Sequence, residues 1–146
     1  MVGGILAKIF WDTNLFIYLM EENPTFADRV AAIRRRMLSR GDNLYTSALT
    51  VGEILVKPSV TGQPDLASQY RAFFTRPGIT IISFDLPAAD HYARIRQDGT
   101  IQPPDAIQLA CGAAAEIDLF ITNDERLSRK SVRGIQFITS LERAPI

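Results

Sequence analysis

The sequence predicts an α/β protein in which a mostly parallel β-sheet lies between two layers of helices, and three observations carry that prediction. Short apolar runs of strand length alternate along the chain with longer segments of helical periodicity. The alternation runs the length of the 146 residues with no low-complexity run and no internal repeat, so residues 1–146 read as a single domain. Acidic residues stand directly after three of the apolar runs, where ligands gather in open sheets of this kind. A chain this long buries roughly two thirds of the surface its unfolded form exposes, enough for a full core.

The first run, Ile5 to Trp11, reads as a buried strand, and Leu15 to Met20 as a short helix too apolar for a free surface. From Pro24 to Ser39 the residues Phe26, Val30, Ile33 and Met37 recur at helical steps, with Asn23 placed to cap the start. Gly41-Asp42-Asn43 makes a turn into a short strand, Leu44 to Thr46. Ser47 can cap a helix reaching about Val60, although Gly52 weakens it by about 1 kcal/mol relative to Ala and Pro58 favours a kink or stop. Gly52 has two readings, close packing or room for a substrate.

Gly62-Gln63-Pro64 breaks to another helix that ends near Arg76-Pro77-Gly78, and Ile79 to Ser83 is the third strand. Asp85 caps a helix that includes His91 to Arg96. A polar loop, Gln97 to Pro104, precedes a helix from Asp105 to about Ala115 that buries Ile107, Cys111 and Ala114. Leu119 to Thr122 is a strand, Asp124 opens a short turn or helix, and Gly134 leads to a last strand, Ile135 to Ile138.

Composition removes several classes of function. Sixteen Lys and Arg balance sixteen Asp and Glu, so net charge supplies no general pull toward nucleic acid or anionic membranes. Any such contact must come from local patches, such as Arg126, Arg129 and Lys130 close after Asp124. No apolar run is long enough to span a bilayer and the N-terminus lacks signal-peptide features, so a cytoplasmic protein without membrane contact is expected. One cysteine, Cys111, excludes an internal disulfide and a cysteine-based zinc site. One histidine, His91, excludes multi-histidine metal sites, so catalysis would rest most simply on carboxylates.

The stretch KIFWDTNLFIYLM, residues 8–20, poses the functional question, because it sets Asp12 among residues that belong in a core. A buried, unpaired carboxylate costs several kcal/mol or takes up a proton. Asp12, Asp85 and Asp124 follow strands, and Glu53 and Asp105 sit on helices. Ser47, Thr50 and Glu53, spaced three apart, share one helical face. Two carboxylates about 5 Å apart repel by roughly 3 kcal/mol at an effective dielectric near 20, so a gathering of four calls for a cation. Asp85, followed by Leu86-Pro87, reads instead as a plain helix cap, Cys111 as core, His91 as a helix-surface residue, and Arg34-Arg35-Arg36 as a solvated face.

The series DTN at Asp12 to Asn14, TVGE ending at Glu53, PPDAIQLA around Asp105 and ITND ending at Asp124 resembles the PIN-domain ribonucleases, and most of all VapC-type toxins of bacterial toxin–antitoxin pairs. The resemblance covers nearly the whole chain. It implies a PIN-like three-layer fold in which Asp12, Glu53, Asp105 and Asp124 bind Mg²⁺ or Mn²⁺ and hydrolyse an RNA phosphodiester with water, Asp124 acting directly or through a water molecule. Asn14 and Thr122 are implied as polar supports, and Arg126, Arg129 and Lys130 as RNA contacts. It further implies a homodimer and a small antitoxin protein lying over an apolar groove, for which Leu15, Phe16, Tyr18 and Leu19 are candidates; the same four also read as core or as a dimer contact. Alternatives are a housekeeping PIN nuclease in RNA processing and a catalytically silent PIN module. A haloacid-dehalogenase-type phosphatase would want Asp-x-Asp at the first strand, and a receiver domain a lysine near the end that is not in place.

Overall fold

The structure is a computed structural model that describes residues 7–146. In chain order it runs β1 (Lys8–Trp11), α1 (Thr13–Met20), α2 (Ala27–Arg40), β2 (Asn43–Ser47), α3 (Ala48–Val60), α4 (Pro64–Phe73), β3 (Ile79–Ile82), α5 (Leu86–Ile95), α6 (Pro103–Ala114), β4 (Leu119–Thr122), α7 (Glu125–Ser128) and β5 (Phe137–Ser140). The five strands form one sheet in the order β3-β2-β1-β4-β5, and every neighbouring pair is parallel. Because the chain winds outward from β1 to β3 and then returns to β4 on the other side, the strand order reverses at β1. Beyond the carboxyl ends of β1 and β4, such a reversal leaves a crevice that no connection covers.

Alternation within the central strands makes two cores. Ile9 and Trp11 of β1, with Leu119 and Ile121 of β4, point to the face covered by Leu15, Phe16, Val30, Ile33, Met37 and Ile54. Phe10 and Phe120 point to the other face, where they stack at 4.6 Å beneath Leu109, Ala110 and Ala113 of α6. Since both faces of the sheet are buried, its strands read as continuous apolar runs.

Local signals place most boundaries. Ser47 and Asp85 accept hydrogen bonds from Thr50 and Ala88 backbone N–H groups and so cap α3 and α5. Gly41 ends α2 with φ 77°, a conformation open to glycine. A Cβ at Gly134, whose φ is 98°, would stand 2.8 Å from the Ala113 carbonyl oxygen, so only glycine lets this segment pass α6.

Several expectations are corrected. Ile5 and Leu6 lie outside the described residues, and the second helix starts at Ala27 and not Pro24, Asn23 instead holding the preceding turn through Thr25 and Phe26 N–H groups. Pro58 forfeits one helical bond, yet α3 continues to Val60 and ends just before Gly62. Pro103 is already helical, since proline is pre-organised for a first turn, so α6 starts ahead of Asp105. Its buried face is Ala106, Leu109, Ala110 and Ala113 with Cys111, while Ile107 and Ala114 are only half-buried. The last strand begins at Phe137 and not Ile135, because Val132 and Ile135 are used to seal α6 against the sheet.

Candidate active site

At the carboxyl end of β1 the Asp12 backbone N–H donates to the Ile121 carbonyl of β4 (3.0 Å), which fixes the residue at the reversal of strand order. Its side chain is only 7% exposed. One carboxylate oxygen accepts from the Thr13 backbone N–H (2.8 Å) and the other from the Thr122 hydroxyl (2.8 Å). Burial pushes the Asp12 carboxyl up to about 6 against those two hydrogen bonds, and the charges of Asp105 and Glu53 add to the rise. Thr122, fully buried, also accepts from the Asp124 backbone N–H (3.1 Å) and so ties the ends of β1 and β4 together. Asp124 itself caps α7 through the Arg126 and Leu127 N–H groups.

Asp12, Glu53, Asp105 and Asp124 line a single open cleft of about 360 Å³ together with Thr13, Asn14 and Gln108. Asp105 lies in the first turn of α6, and its carboxyl is raised first by burial and then by the neighbouring charges of Asp124 and Glu53, with Arg126 opposing. Among the described residues, none of the four forms an ion pair within 4.0 Å. As the side chains stand, no three acidic, histidine or cysteine groups among the described residues converge tightly enough to enclose an ion. Carboxylates that face one cleft repel one another across it. Mg²⁺ needs only one or two protein carboxylates, since it keeps several of its waters, so the donor set suits a hard cation.

Beneath the acids lies an uncharged network of which the sequence marked only Ser47 and Thr50, on the helical face of Glu53. Gln108 of α6, 2% exposed, donates from Nε2 to the Thr13 and Thr50 hydroxyls (2.9 and 2.7 Å), and its Oε1 accepts from Ser47. The Thr13 hydroxyl meets that of Thr50 (3.1 Å) and donates to Glu53 Oε1 (2.6 Å), and Thr46 bonds Thr50 (2.8 Å). Proton counting orients it: the carboxylate can only accept, so Thr13 gives its one proton to Glu53 and receives from Gln108 and Thr50. Gln108 is a polar residue three positions after Asp105 inside an otherwise apolar helix, and that misfit was the available signal.

The other predicted residues are dispersed. Asn14 sits exposed on the cleft wall. Arg126 is the basic side chain whose charge bears on Asp105, whereas Lys130 turns away from the cleft to Asp98 (2.8 Å). Asp85 serves its helix and lies off the cleft. Leu15 and Phe16 are fully buried, which corrects their candidacy for a partner groove; Tyr18 and Leu19 remain half-buried. Cys111 is buried in the core, and burial raises its thiol to about 11.

An all-parallel sheet that delivers carboxylates to the mouth of its central strands defines a class, and residues 9–132 match the PIN domain family model. The chain belongs to the PIN-domain family. Its fold is similar to that of a chain in the Rickettsia felis VapBC2 complex bound to a promoter DNA fragment (TM-score 0.71, 16% identity, covering 91% of this chain and 98% of that one). It is also similar to a chain of the DNA-bound VapBC complex of Salmonella typhimurium (TM-score 0.71, 20% identity, 93% and 99% covered) and to one of VapBC-5 from Mycobacterium tuberculosis (TM-score 0.59, 19% identity, 91% and 98% covered). No curated protein matches the chain.

Proposed function

We propose that this PIN domain is a Mg²⁺- or Mn²⁺-dependent endoribonuclease and the toxin of a toxin–antitoxin pair. The observation that carries the reading is the convergence of Asp12, Glu53, Asp105 and Asp124 on one cleft without an ion pair among the described residues. Asp12, with Glu53, Asp105 and Asp124 around it, would hold the cation, Asp124 directly or through water. A bound divalent ion would lower the pKa of a water molecule, polarise the phosphodiester and offset charge on the leaving oxygen.

The chain's own groups supply the positioning. Thr13 and Thr122 hold the Asp12 carboxylate by both oxygens, and Thr13, steadied by Gln108, fixes Glu53. Asn14 on the wall can donate to a phosphate oxygen, and Arg126 brings positive charge toward the strand beside Asp105. None of the four acids is absent from the cleft, which favours an enzyme over a silent binding module.

Fold similarity to chains of VapBC complexes supports a small antitoxin as partner. Tyr18 and Leu19 are our proposed contacts for it, and a homodimer our proposed assembly. No helix among the described residues is long and apolar enough to cross a membrane. We propose a cytoplasmic site of action.

RNA cleavage by the purified protein with Mg²⁺ or Mn²⁺, compared with EDTA and with Asp12→Asn, tests the chemistry. Cleavage that survives both changes sinks the metal-nuclease reading. Growth arrest on expression, relieved by the product of a small adjacent reading frame, tests the toxin assignment; a growth-neutral protein favours a housekeeping nuclease.

A further inference from the structure

Beside the carboxylate cleft a second cavity, of about 410 Å³, is walled by cations: Arg94 near the end of α5, and Lys130 and Arg133 in the segment after α7. Arg94 Nη2 donates to the Arg133 carbonyl oxygen (3.1 Å) and meets His91 Nδ1 at 2.5 Å, so the two arginines are held together. Among the described residues neither guanidinium has a carboxylate within 4.0 Å. Asp98 is the one acid on the wall, and Lys130 already occupies it at 2.8 Å, holding its carboxyl well below the usual range. With Lys130 and Asp98 cancelling, the wall carries an excess of two cations, Arg94 and Arg133. His91 next to it is lowered by partial burial and then by Arg94 and Arg133, with Asp90 opposing, which reflects the same crowding of positive charge.

Placement says which anion. Asp124 lines the cleft and caps the single turn of α7, and Lys130 stands two residues beyond that turn on the wall of the second cavity. Only residues 125–129 separate them in the chain, so a strand held in the cleft has the second cavity within reach. Arg126, whose charge bears on Asp105, lies between the two. A polyanion crossing the cleft thus meets a second cationic site, and a guanidinium fork suits a phosphate.

We propose that the cavity of Arg94, Lys130 and Arg133 is a second phosphate subsite, which takes a backbone phosphate a few nucleotides from the bond held in the cleft. The inference rests on the nuclease reading for its substrate class. It assigns Arg94 and Arg133 to binding, a role separate from the four carboxylates.

The test is fluorescence anisotropy of a labelled single-stranded RNA with the full chain in EDTA, so that binding is read without cleavage. Arg94→Gln/Arg133→Gln should weaken binding about tenfold at low salt. The log–log salt slope should become shallower by about 0.7, one phosphate's worth. Arg133→Glu, on an exposed side chain, should do the same without risk to the fold, and Arg71→Gln on distant α4 should change nothing. Wild-type affinity and slope in both Arg133 variants overturn the subsite, as does lost binding of an acidic peptide with RNA binding intact. Cleavage of a dinucleotide with Mn²⁺ is run in parallel. Its single phosphate is the one held in the cleft, so its failure in the wild type strikes the nuclease reading alone.

Discussion

Two strand ends carry the same residue to opposite fates. Asp12 follows β1 and Asp85 follows β3, and each accepts a backbone hydrogen bond at the start of the next helix. Asp12 is almost fully buried, its carboxyl is pushed up to about 6, and three further acids share its cleft. Asp85 is exposed, and its carboxylate accepts from Ala88 of its own helix. The difference lies in the sheet: β1 is the central strand, where the order reverses, and β3 is an edge. Position after a strand is thus a weak signal, and position after the strand at the reversal is a strong one.

The comparison breaks most sharply on activity. Asp12→Asn should lower metal-dependent RNA cleavage about a thousandfold or more, because it removes the best-held carboxylate while leaving the shape. Asp85→Asn should stay within about twofold. Equal losses in initial-rate assays would erase the distinction.

Stability against pH sharpens it. A carboxyl whose pKa is raised by folding favours the protonated state, so metal-free protein should lose Asp12's contribution as pH rises from 3.8 to about 6. The difference between wild type and Asp12→Asn in urea unfolding should change across that window by on the order of 3 kcal/mol. An unchanged difference would mean that the site does not strain its acid. Gln108→Leu should cost about 2 kcal/mol, since it leaves the Ser47, Thr13 and Thr50 hydroxyls short of partners in the core. It should also depress kcat more than KM if the network holds Glu53 in place.

Asp85→Ala should cost only about 1 kcal/mol, the worth of a cap, with cleavage intact. Smallest is Gly52→Ala: a Cβ there meets no atom within 4 Å, so α3 should gain up to about 1 kcal/mol by thermal denaturation. That open space removes the packing reason for Gly52. A fall in RNA cleavage in the same variant would point to substrate approach.

What the sequence made legible follows from how each element is stabilised. Leu119–Thr122 was readable to the residue, because a strand buried on both faces is a plain apolar run between polar breaks. Ser47 and Asp85 announced their helices by side-chain chemistry that acts within three residues. The start of β5 was hidden because Ile135 looks like strand but is consumed in packing against α6, a tertiary demand with no local mark. The charged residues of the cleft stood out because acids in apolar surroundings need a reason. Thr13, Thr46 and Gln108 did not, since neutral hydroxyls and an amide pass as ordinary helix and strand residues until the fold brings them together.

Calorimetric titration of Mn²⁺ into metal-free protein tests the central claim, that the reversal of strand order gathers carboxylates for a divalent ion. The account predicts saturable binding to wild type, the same binding to Asp85→Asn, and at least tenfold weaker binding to Asp12→Asn. Mn²⁺ binding that is indifferent to Asp12 would contradict it.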